Sequence, residues 1–278
     1  AALLAGMATA LLLVVFFSTR GLDNLPEEAR SPPHAFSLGG FLNDIASFWT
    51  ILTRNGPLAL LFASVTISSI MGNMGSKAQI YWIKYDLEDL SVIGWLLPLG
   101  AVVVMIASPL WALSAQRFSK RAITLAGAAL VFISYALFFA FNPHNHLLLA
   151  VISSIGAIGV AAKFVMYWSM LPDTVEYNAV VTGERSDAKI FGFAALAQKV
   201  SLAVNAVIFG YLLEASGFVA DQVQTESTRQ AILAIMCVIP MASAAVSSAF
   251  IWFYPIDAKF HSSLKERIGR AAFGGPAS

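Results

Sequence analysis

Apolar residues along this chain form long stretches that polar connections separate. A helix needs about 20 predominantly apolar residues to cross a membrane. Nowhere does an alternation of apolar and polar residues recur between turn signals, as a membrane β-barrel would require. The pattern therefore predicts an all-α integral membrane protein. Its six complete predicted spans are Pro57–Tyr81, Ser91–Leu113, Ala122–Phe141, Leu147–Leu171, Ile190–Ala215 and Ala231–Tyr254.

The first residues of the chain continue the apolar pattern. Ala1–Phe17 is apolar, yet neither an initiator Met nor a positively charged segment precedes it, so it does not resemble a signal peptide. We expect this stretch to be the end of a transmembrane helix, and the chain to be part of a larger protein.

The composition agrees with a membrane protein. Of the 278 residues, 58% are hydrophobic and 12% are charged, whereas soluble domains carry about 25% charged residues. The net charge of +1 excludes the basic surface that a nucleic-acid-binding protein needs. The lone Cys237 excludes a disulfide framework within the chain. The histidines have no metal-ligand spacing and no catalytic motif is present, so we expect no metal, no cofactor and no enzyme activity.

The basic residues predict the orientation in the membrane. Connections on the cytoplasmic side carry an excess of Lys and Arg. Here the first, third, fifth and last connections hold 12 of them, whereas the alternate connections hold 2, Lys84 and Arg229. This predicts a multi-pass protein of the plasma (inner) membrane whose C-terminal tail, residues 255–278, is cytoplasmic.

The polar connection at residues 18–56 contains one amphipathic segment. Apolar residues recur there at helical spacing, opposite Asn43, Asp44 and Ser47. Two interpretations stay open: a helix that lies on the cytoplasmic membrane surface, or a helix that packs against the ends of the bundle. The apolar positions are Phe41, Leu42, Ile45, Phe48, Trp49 and Leu52.

Three lysines, Lys77, Lys163 and Lys199, lie inside predicted spans. A charge in this position is costly and usually functional, although a long side chain can also carry its ammonium group to the membrane surface. No Asp or Glu lies at mid-membrane depth in the predicted spans. The three lysines are therefore expected to face water, another part of the protein or an anionic ligand.

Polar and small residues accompany Lys77 and Lys163 at steps of three or four, so that they share helix faces, while Gln198 and Asn205 flank the face of Lys199. We expect such stripes to line an aqueous cavity or a helix interface. Gly156 and Gly159 share the face of Lys163, which predicts a close approach of a neighbouring helix. The residues predicted to bind substrate are Lys199, Lys163, Trp168, Tyr167, Asn73, Lys77, Gln198 and Asn205.

The stretch after the fourth complete span carries the most specific motif. It reads Met-Leu-Pro-Asp-Thr-Val-Glu-Tyr at residues 170–177, then Thr-Gly-Glu-Arg at residues 182–185, and Lys199 comes 26 residues after Asp173. These residues resemble the glycoside–pentoside–hexuronide:cation symporter family, the melibiose permease-like branch of the major facilitator superfamily. Two further elements resemble that family, Arg54-Asn-Gly-Pro57 and Tyr254-Pro-Ile-Asp257.

The resemblance implies a major facilitator-type helical bundle. Residues 1–17 would be the end of helix six, residues 18–56 the cytoplasmic connector between the halves, and residues 57–254 the C-terminal six-helix half. Lys199 matches the family's helix-eleven lysine, which lies in the sugar cavity. The motif implies a cytoplasmic gate in the loop after the fourth complete span, in which Arg185 pairs with Asp173 or Glu176 in one state. The gate residues are Asp173, Glu176, Tyr177 and Arg185.

The function that the resemblance implies is symport of a sugar or sugar acid (a glycoside, pentoside or hexuronide) with Na⁺ or H⁺ by alternating access. The family binds its coupling cation with carboxylates of the N-terminal half, so the cation site is expected there. The three lysines favour an anionic substrate such as a hexuronide. The expected partners are the sugar, the coupling cation, the lipid bilayer and the N-terminal half of the same transporter. A lysophospholipid-type symporter of the same fold and a non-transporting membrane subunit stay open as alternatives.

Overall fold

The computed structural model of the chain describes residues 2–19, 37–182 and 186–256. The described residues fold into helices and contain no strand, which confirms the all-α prediction. The helices are α1 (Ala2–Thr19), α2 (Leu38–Arg54), α3 (Gly56–Ile67), α4 (Met74–Trp82), α5 (Ser91–Ser114), α6 (Lys120–Phe141), α7 (His146–Thr182), α8 (Asp187–Ala215) and α9 (Glu226–Trp252).

Six stretches of the described residues are long and apolar enough to cross a membrane, as the sequence predicts. The first of them, Gly56–Leu87, consists of α3 and α4 joined by a π-helical segment at Ser68–Gly72, with a second π-helical segment at Ile83–Leu87. A π-helical turn inserts one extra residue into a helix and is frequent at functional sites. The remaining five spans are α5, α6, α7, α8 and α9.

Helix α7 is longer than the sequence predicts. The fourth complete span was expected to end at Leu171 and to be followed by a loop, but α7 continues to Thr182. Between Pro172 and Gly183 no Gly or Pro interrupts the chain, so the residues after Pro172 can propagate the helix. The residues of the predicted gate motif at 173–177 therefore lie on the last turns of a helix, and their prediction as a loop is wrong.

The chain divides into two compact units, Ala1–Ile45 and Ala46–Ser278. Within the second unit, α7 packs against α5 and α6, and α9 packs against α3, α4 and α6. Two clusters of buried apolar side chains result, one around Met166, Met170 and Tyr254, and another around Trp82 and Phe138.

Glycines bring α6 and α7 into backbone contact. A Cβ atom added to Gly159 would lie 2.5 Å from the carbonyl oxygen of Gly127 and 2.9 Å from the backbone nitrogen of Val131. A Cβ atom added to Gly156 would lie 2.7 Å from Oγ of Ser134. The prediction that these glycines permit a close helix approach is confirmed.

The part of the predicted amphipathic segment that belongs to the second unit packs against α3 and α8 of the same unit. Phe48 of α2 is buried, with its ring centroid 5.2 Å from that of Phe62 and 4.2 Å from that of Phe193. Trp49, its neighbour, is 66% exposed. These contacts favour the interpretation of a helix packed against the bundle. The side chains of Phe41 and Leu42 lie outside the described residues.

Asn55 connects the start of α3 to the C-terminal part of α7. Its Oδ1 accepts a hydrogen bond of 2.9 Å from the backbone N–H of Leu58 and so caps α3, while its Nδ2 donates to the carbonyl oxygen of Thr174 at 2.8 Å. Asn55 is 1% exposed. Loss of the side chain would leave the N–H of Leu58 in the first turn of α3 without its cap and would remove the bond to α7 at a buried position.

We therefore expect Asn55→Ala to lower the free energy of unfolding by about 2–3 kcal/mol, because a helix cap and a buried hydrogen bond are lost together. The matched control is Asn145→Ala, which removes an exposed cap whose Oδ1 accepts from the N–H groups of Leu147 and Leu148. Thermal unfolding of the purified protein in detergent measures both variants. Equal losses for the two variants would contradict the role of the buried bond to Thr174.

Candidate functional site

A cavity of about 260 Å³ opens among the middle parts of the helices. Its walls are the span Gly56–Leu87, α6 and α7, with Gln198 of α8 and Ile251 of α9. The volume is slightly below the roughly 300–1,000 Å³ that small-molecule sites usually occupy. The polar side chains that line the cavity are Ser64, Ser68, Ser69, Asn73, Thr124, Tyr135, Lys163, Tyr167 and Gln198.

Lys163 is the one charged side chain among the described residues that line this cavity. Its Nζ donates a hydrogen bond of 2.9 Å to Oγ of Ser68, the first residue of the π-helical segment Ser68–Gly72. In the part of the chain that the structure describes, no carboxylate lies within 4.0 Å of this ammonium group. The cavity can therefore offer a hydrogen-bond-donating cation, flanked by hydroxyl and amide groups, to a polar ligand.

The structure brings four of the predicted binding residues together around the cavity: Lys163, Tyr167, Asn73 and Gln198. Tyr167 is buried, whereas Asn73 is exposed and donates from Nδ2 to the carbonyl oxygen of Ser69 at 3.0 Å. Lys77 lies one turn beyond Asn73 on α4 and is partly buried, but it does not line the cavity. That these residues bind substrate stays a prediction.

Lys199 lies on a different surface from Lys163. Helix α8 buries a stripe that includes Ala194, Ser201 and Asn205, and Lys199 is two residues, or about 200° around the helix, from Ser201. Its side chain is exposed, and so are Ala195 and Ala203 on the same face. That Lys199 binds substrate stays a prediction.

Asn205 and Trp168 take part in contacts outside the cavity. Asn205 is fully buried, and its Nδ2 donates to the carbonyl oxygen of Ile70 in the π-helical segment, so it joins α8 to the first span. Trp168 is 39% exposed, and its ring centroid lies 5.2 Å from that of Tyr167. Neither side chain lines the cavity.

A second polar site forms around Asp173, near the end of α7. Nζ of Lys120 lies 2.7 Å and 2.9 Å from the two carboxylate oxygens of Asp173 and also donates to the carbonyl oxygen of Ser169 at 2.8 Å. The Asp173 side chain is 7% exposed, that of Lys120 30%. Because Asn55 bonds the carbonyl oxygen of Thr174, the next residue, two motifs that are distant in sequence meet here.

The other members of the predicted gate are only partly described. Glu176 and Tyr177 are partly buried on α7. Arg185 lies outside the described residues, so its pairing with Asp173 or Glu176 stays a prediction. Among the described residues, Asp173 forms an ion pair with Lys120, which the sequence pattern identifies only as a basic residue of the third connection.

Sequence reasoning missed the two residues that bond the charged groups of the candidate sites, Ser68 and Lys120. Ser68 is one of two adjacent serines in an apolar span, and only its contact with Lys163 distinguishes it. Lys120 precedes a predicted span by two residues, so the hydropathy pattern places it in a loop. Nothing in that pattern indicates its ion pair with Asp173. One signal could have revealed the pair. Lys120 begins α6 and Asp173 lies near the end of α7, and two consecutive antiparallel helices bring the start of the first close to the end of the second.

Comparison with known proteins gives consistent matches along the chain. The profile of a family described as MFS/sugar transport protein matches residues 1–258. The glucuronide carrier protein homolog of Escherichia coli (strain K12) is 29% identical over 217 residues, which cover 77% of this chain and 48% of that protein. The uncharacterized symporter YnaJ of Bacillus subtilis (strain 168) is 25% identical over 214 residues, 77% of this chain and 46% of that protein.

A third relative extends the matched part of the chain. The isoprimeverose transporter of Lactiplantibacillus pentosus is 22% identical over 258 residues, 92% of this chain and 51% of that protein. The chain thus spans about half the length of the curated relatives it matches.

Proposed function

Because this chain belongs to the MFS/sugar transport protein family, we propose that it forms the C-terminal six-helix half of a symporter that couples uptake of a sugar or sugar acid to Na⁺ or H⁺. The observation that carries the proposal is the cavity among the spans, with an ammonium group and several hydroxyl groups on its walls. Sugars bind through many hydrogen bonds to such groups, whereas a helix surface that faces lipid tails has no use for them. The similarity to a glucuronide carrier protein homolog supports the same class of substrate.

The proposed mechanism is alternating access. Two six-helix halves rock around a central site so that it opens to one side of the membrane at a time. In this scheme the exposed face of α8 with Lys199 turns toward the other half, while Lys163 lies within the helices of this half. The coupling cation would be bound by carboxylates of the other half.

The polar site around Asp173 fits a role in the same cycle. It joins the start of α6 to the end of α7 by an ion pair, and the start of α3 to α7 by a hydrogen bond. These contacts hold three spans together at the end that the charge pattern assigns to the cytoplasm. We infer that the three spans move as one body when the halves rock.

The test is gradient-driven uptake by the transporter that contains this chain, reconstituted in vesicles. Labelled methyl β-D-glucuronide and methyl β-D-galactoside are compared with and without an inward Na⁺ or H⁺ gradient. We expect uptake of at least one of the two to rise about tenfold or more with a gradient and to stop when an ionophore abolishes it. Uptake of neither sugar under either gradient would refute the proposal.

A lysophospholipid-type symporter is the second candidate, and one observation favours it. An apolar groove of about 330 Å³ runs between α5 and Ile158 of α7. An acyl chain could lie there, but the groove has no charged side chain among its described residues to hold a head group. Addition of a labelled lysophospholipid to the same vesicle assay separates the two candidates, since gradient-driven movement of the lipid alone would replace the sugar assignment. The groove is lined by Val103, Ile106, Ala107, Leu110, Trp111, Ser114 and Ile158.

A further inference from the structure

We propose that Lys163 recognises the acidic substituent of the substrate, a carboxylate or a sulfonate, and thereby makes the transporter selective for sugar acids over neutral sugars. This inference rests on the proposed function and deepens it. It assigns the selectivity to a residue of α7, whereas the sequence motifs point to Lys199 of α8.

Lys163 lies too deep to be explained as a lysine that reaches the membrane surface. It is 16 residues from Leu147, where the predicted span begins, and ten residues from Asp173 at the cytoplasmic end, or about 24 Å and about 15 Å along the helix axis. A lysine side chain is much shorter than either distance. The ammonium group therefore stays at the level of the cavity, where a charge is retained only for a purpose.

The surroundings hold the side chain inward. A Cβ atom added to Gly127 of α6 would lie 3.4 Å from Cγ of Lys163, so the lysine stem passes along the surface that this glycine leaves open. At its end, Nζ donates to Oγ of Ser68 on the first span. The stem and the head thus contact two different helices, and this orients the ammonium group before a ligand arrives.

The contact with Ser68 satisfies only part of the ammonium group. An ammonium group has three N–H donors, and the hydroxyl of Ser68 accepts one of them without neutralising the charge. The cavity that Lys163 lines carries no carboxylate among its described residues. An anion that enters the cavity would accept the remaining donors and supply the missing negative charge, and such charge-assisted bonds are the strong ones.

A carboxylate from another part of the transporter is the competing partner, and the placement of the two lysines argues against it. Lys199 is exposed on α8 and accessible to a group outside this unit. Lys163, in contrast, lines a cavity whose walls include α6, α9 and the first span. A small anion can enter that space, whereas Lys199 offers an acidic side chain of the other half the more accessible ammonium group.

The π-helical segment adds a second, independent feature at the same place. Ser68 begins the segment Ser68–Gly72, and Ser69 and Gly72 also line the cavity. A π-helical turn departs from the backbone hydrogen-bonding pattern of the α-helix. Such turns are rare and occur frequently at functional sites. Here the segment places Ser68, Ser69 and Gly72 of one span on the wall of the cavity that Lys163 also lines.

The experiment compares Lys163→Met with wild type in the complete transporter, in vesicles, using three labelled probes. Methyl β-D-glucuronide carries a carboxylate, methyl α-sulfoquinovoside a sulfonate, and methyl β-D-glucoside no charge. We expect wild type to prefer at least one acidic probe, and Lys163→Met to raise the KM for that probe about 10- to 100-fold with little change for the glucoside, since hydrogen bonds to charged groups are of this strength. The acidic probe whose KM rises shows whether the site binds a carboxylate or a sulfonate.

The matched control is Lys84→Met, which removes a lysine that is 42% exposed and lies outside the cavity. It should leave the KM values of all three probes unchanged. An equal loss for acidic and neutral probes in Lys163→Met would mean that the lysine is paired within the protein, and this would overturn the inference. No change for any probe would overturn it as well.

A second variant and two possible wild-type results complete the test. If Lys163→Met does not reach the membrane, Lys163→Gln, which can still bond Ser68 but carries no charge, is measured in its place. If the wild-type KM for the glucoside is as low as the KM for the acidic probes, the inference fails while the proposed function stands. If wild type carries none of the three probes under a Na⁺ or H⁺ gradient, the proposed function itself fails.

Discussion

Replacement of Gly159 by valine is expected to prevent the stable packing of α6 on α7. The new Cβ atom would lie 2.5 Å from the carbonyl oxygen of Gly127 and 2.9 Å from the backbone nitrogen of Val131. Both are backbone atoms, so no rotamer change can relieve the overlap and the helices must move apart. Overpacking of this kind costs about 1–3 kcal/mol even where side chains can adjust, so we expect a loss at or above the upper end of that range.

The stability of the variant would be measured in two ways: as the fraction of the purified protein that elutes as a single species in detergent, and as its thermal unfolding midpoint. Gly159→Ala tests the same contact with the smallest possible change. Its matched control is Gly100→Ala on α5, where an added Cβ atom meets nothing within 4 Å. Since alanine favours a helix over glycine by about 1 kcal/mol, Gly100→Ala should be neutral or stabilising. Similar unfolding midpoints for Gly159→Ala and Gly100→Ala would show that α6 and α7 do not touch at this glycine.

Removal of Lys120 is the second change with a large expected effect. Lys120→Ala would leave the Asp173 carboxylate, 7% exposed, without the ammonium group that now lies 2.7 Å away. Breaking a fully buried ion pair costs about 3–5 kcal/mol. Because the Lys120 side chain is 30% exposed, we expect about 2–3 kcal/mol, seen as a lower unfolding midpoint and a loss of uptake. The double variant Lys120→Ala with Asp173→Ala should recover part of the stability.

The exposed pair of Lys84 and Asp221 provides the control for that measurement. Its N–O distance is the same 2.7 Å, but the side chains are 42% and 82% exposed. The hydrogen bond and the charge of Lys84 lower the pKa of Asp221, yet water can solvate either group alone. Lys84→Ala should therefore leave the unfolding midpoint within experimental error. A drop as large as that of Lys120→Ala would mean that burial is not what makes the Asp173 pair important.

The membrane-spanning segments could be predicted from the sequence because hydropathy is a local property. An apolar stretch of sufficient length identifies a span whatever packs beside it, and the described residues contain all six predicted spans. The family could also be predicted, since the motif at residues 170–177 and its spacing to Lys199 are properties of the chain alone, and the profile match agrees. The end of α7 was placed wrongly at Leu171, because charged residues suggested a loop although nothing in the segment stops a helix.

The candidate site was only partly predictable, as the three mid-span lysines illustrate. Each has the same hydropathy signature, a charge within an apolar segment, and the family motif favoured Lys199 over the other two. The fold separates them: Lys163 lines the cavity and bonds Ser68, Lys199 is exposed on α8, and Lys77 lies outside the cavity. Which way a helix faces depends on the helices packed beside it, and the sequence of one helix does not contain that information.

The sequence by itself thus determined that this chain is an all-α membrane protein of a transporter family with charges in its spans. Only the tertiary structure decided that Asp173 pairs with Lys120, that Asn55 caps α3 while bonding α7, and that Ser68 meets Lys163. These partners are 53, 119 and 95 residues apart along the chain. Helix formation and membrane insertion depend on neighbours within a few turns, whereas such contacts arise from the packing of whole helices.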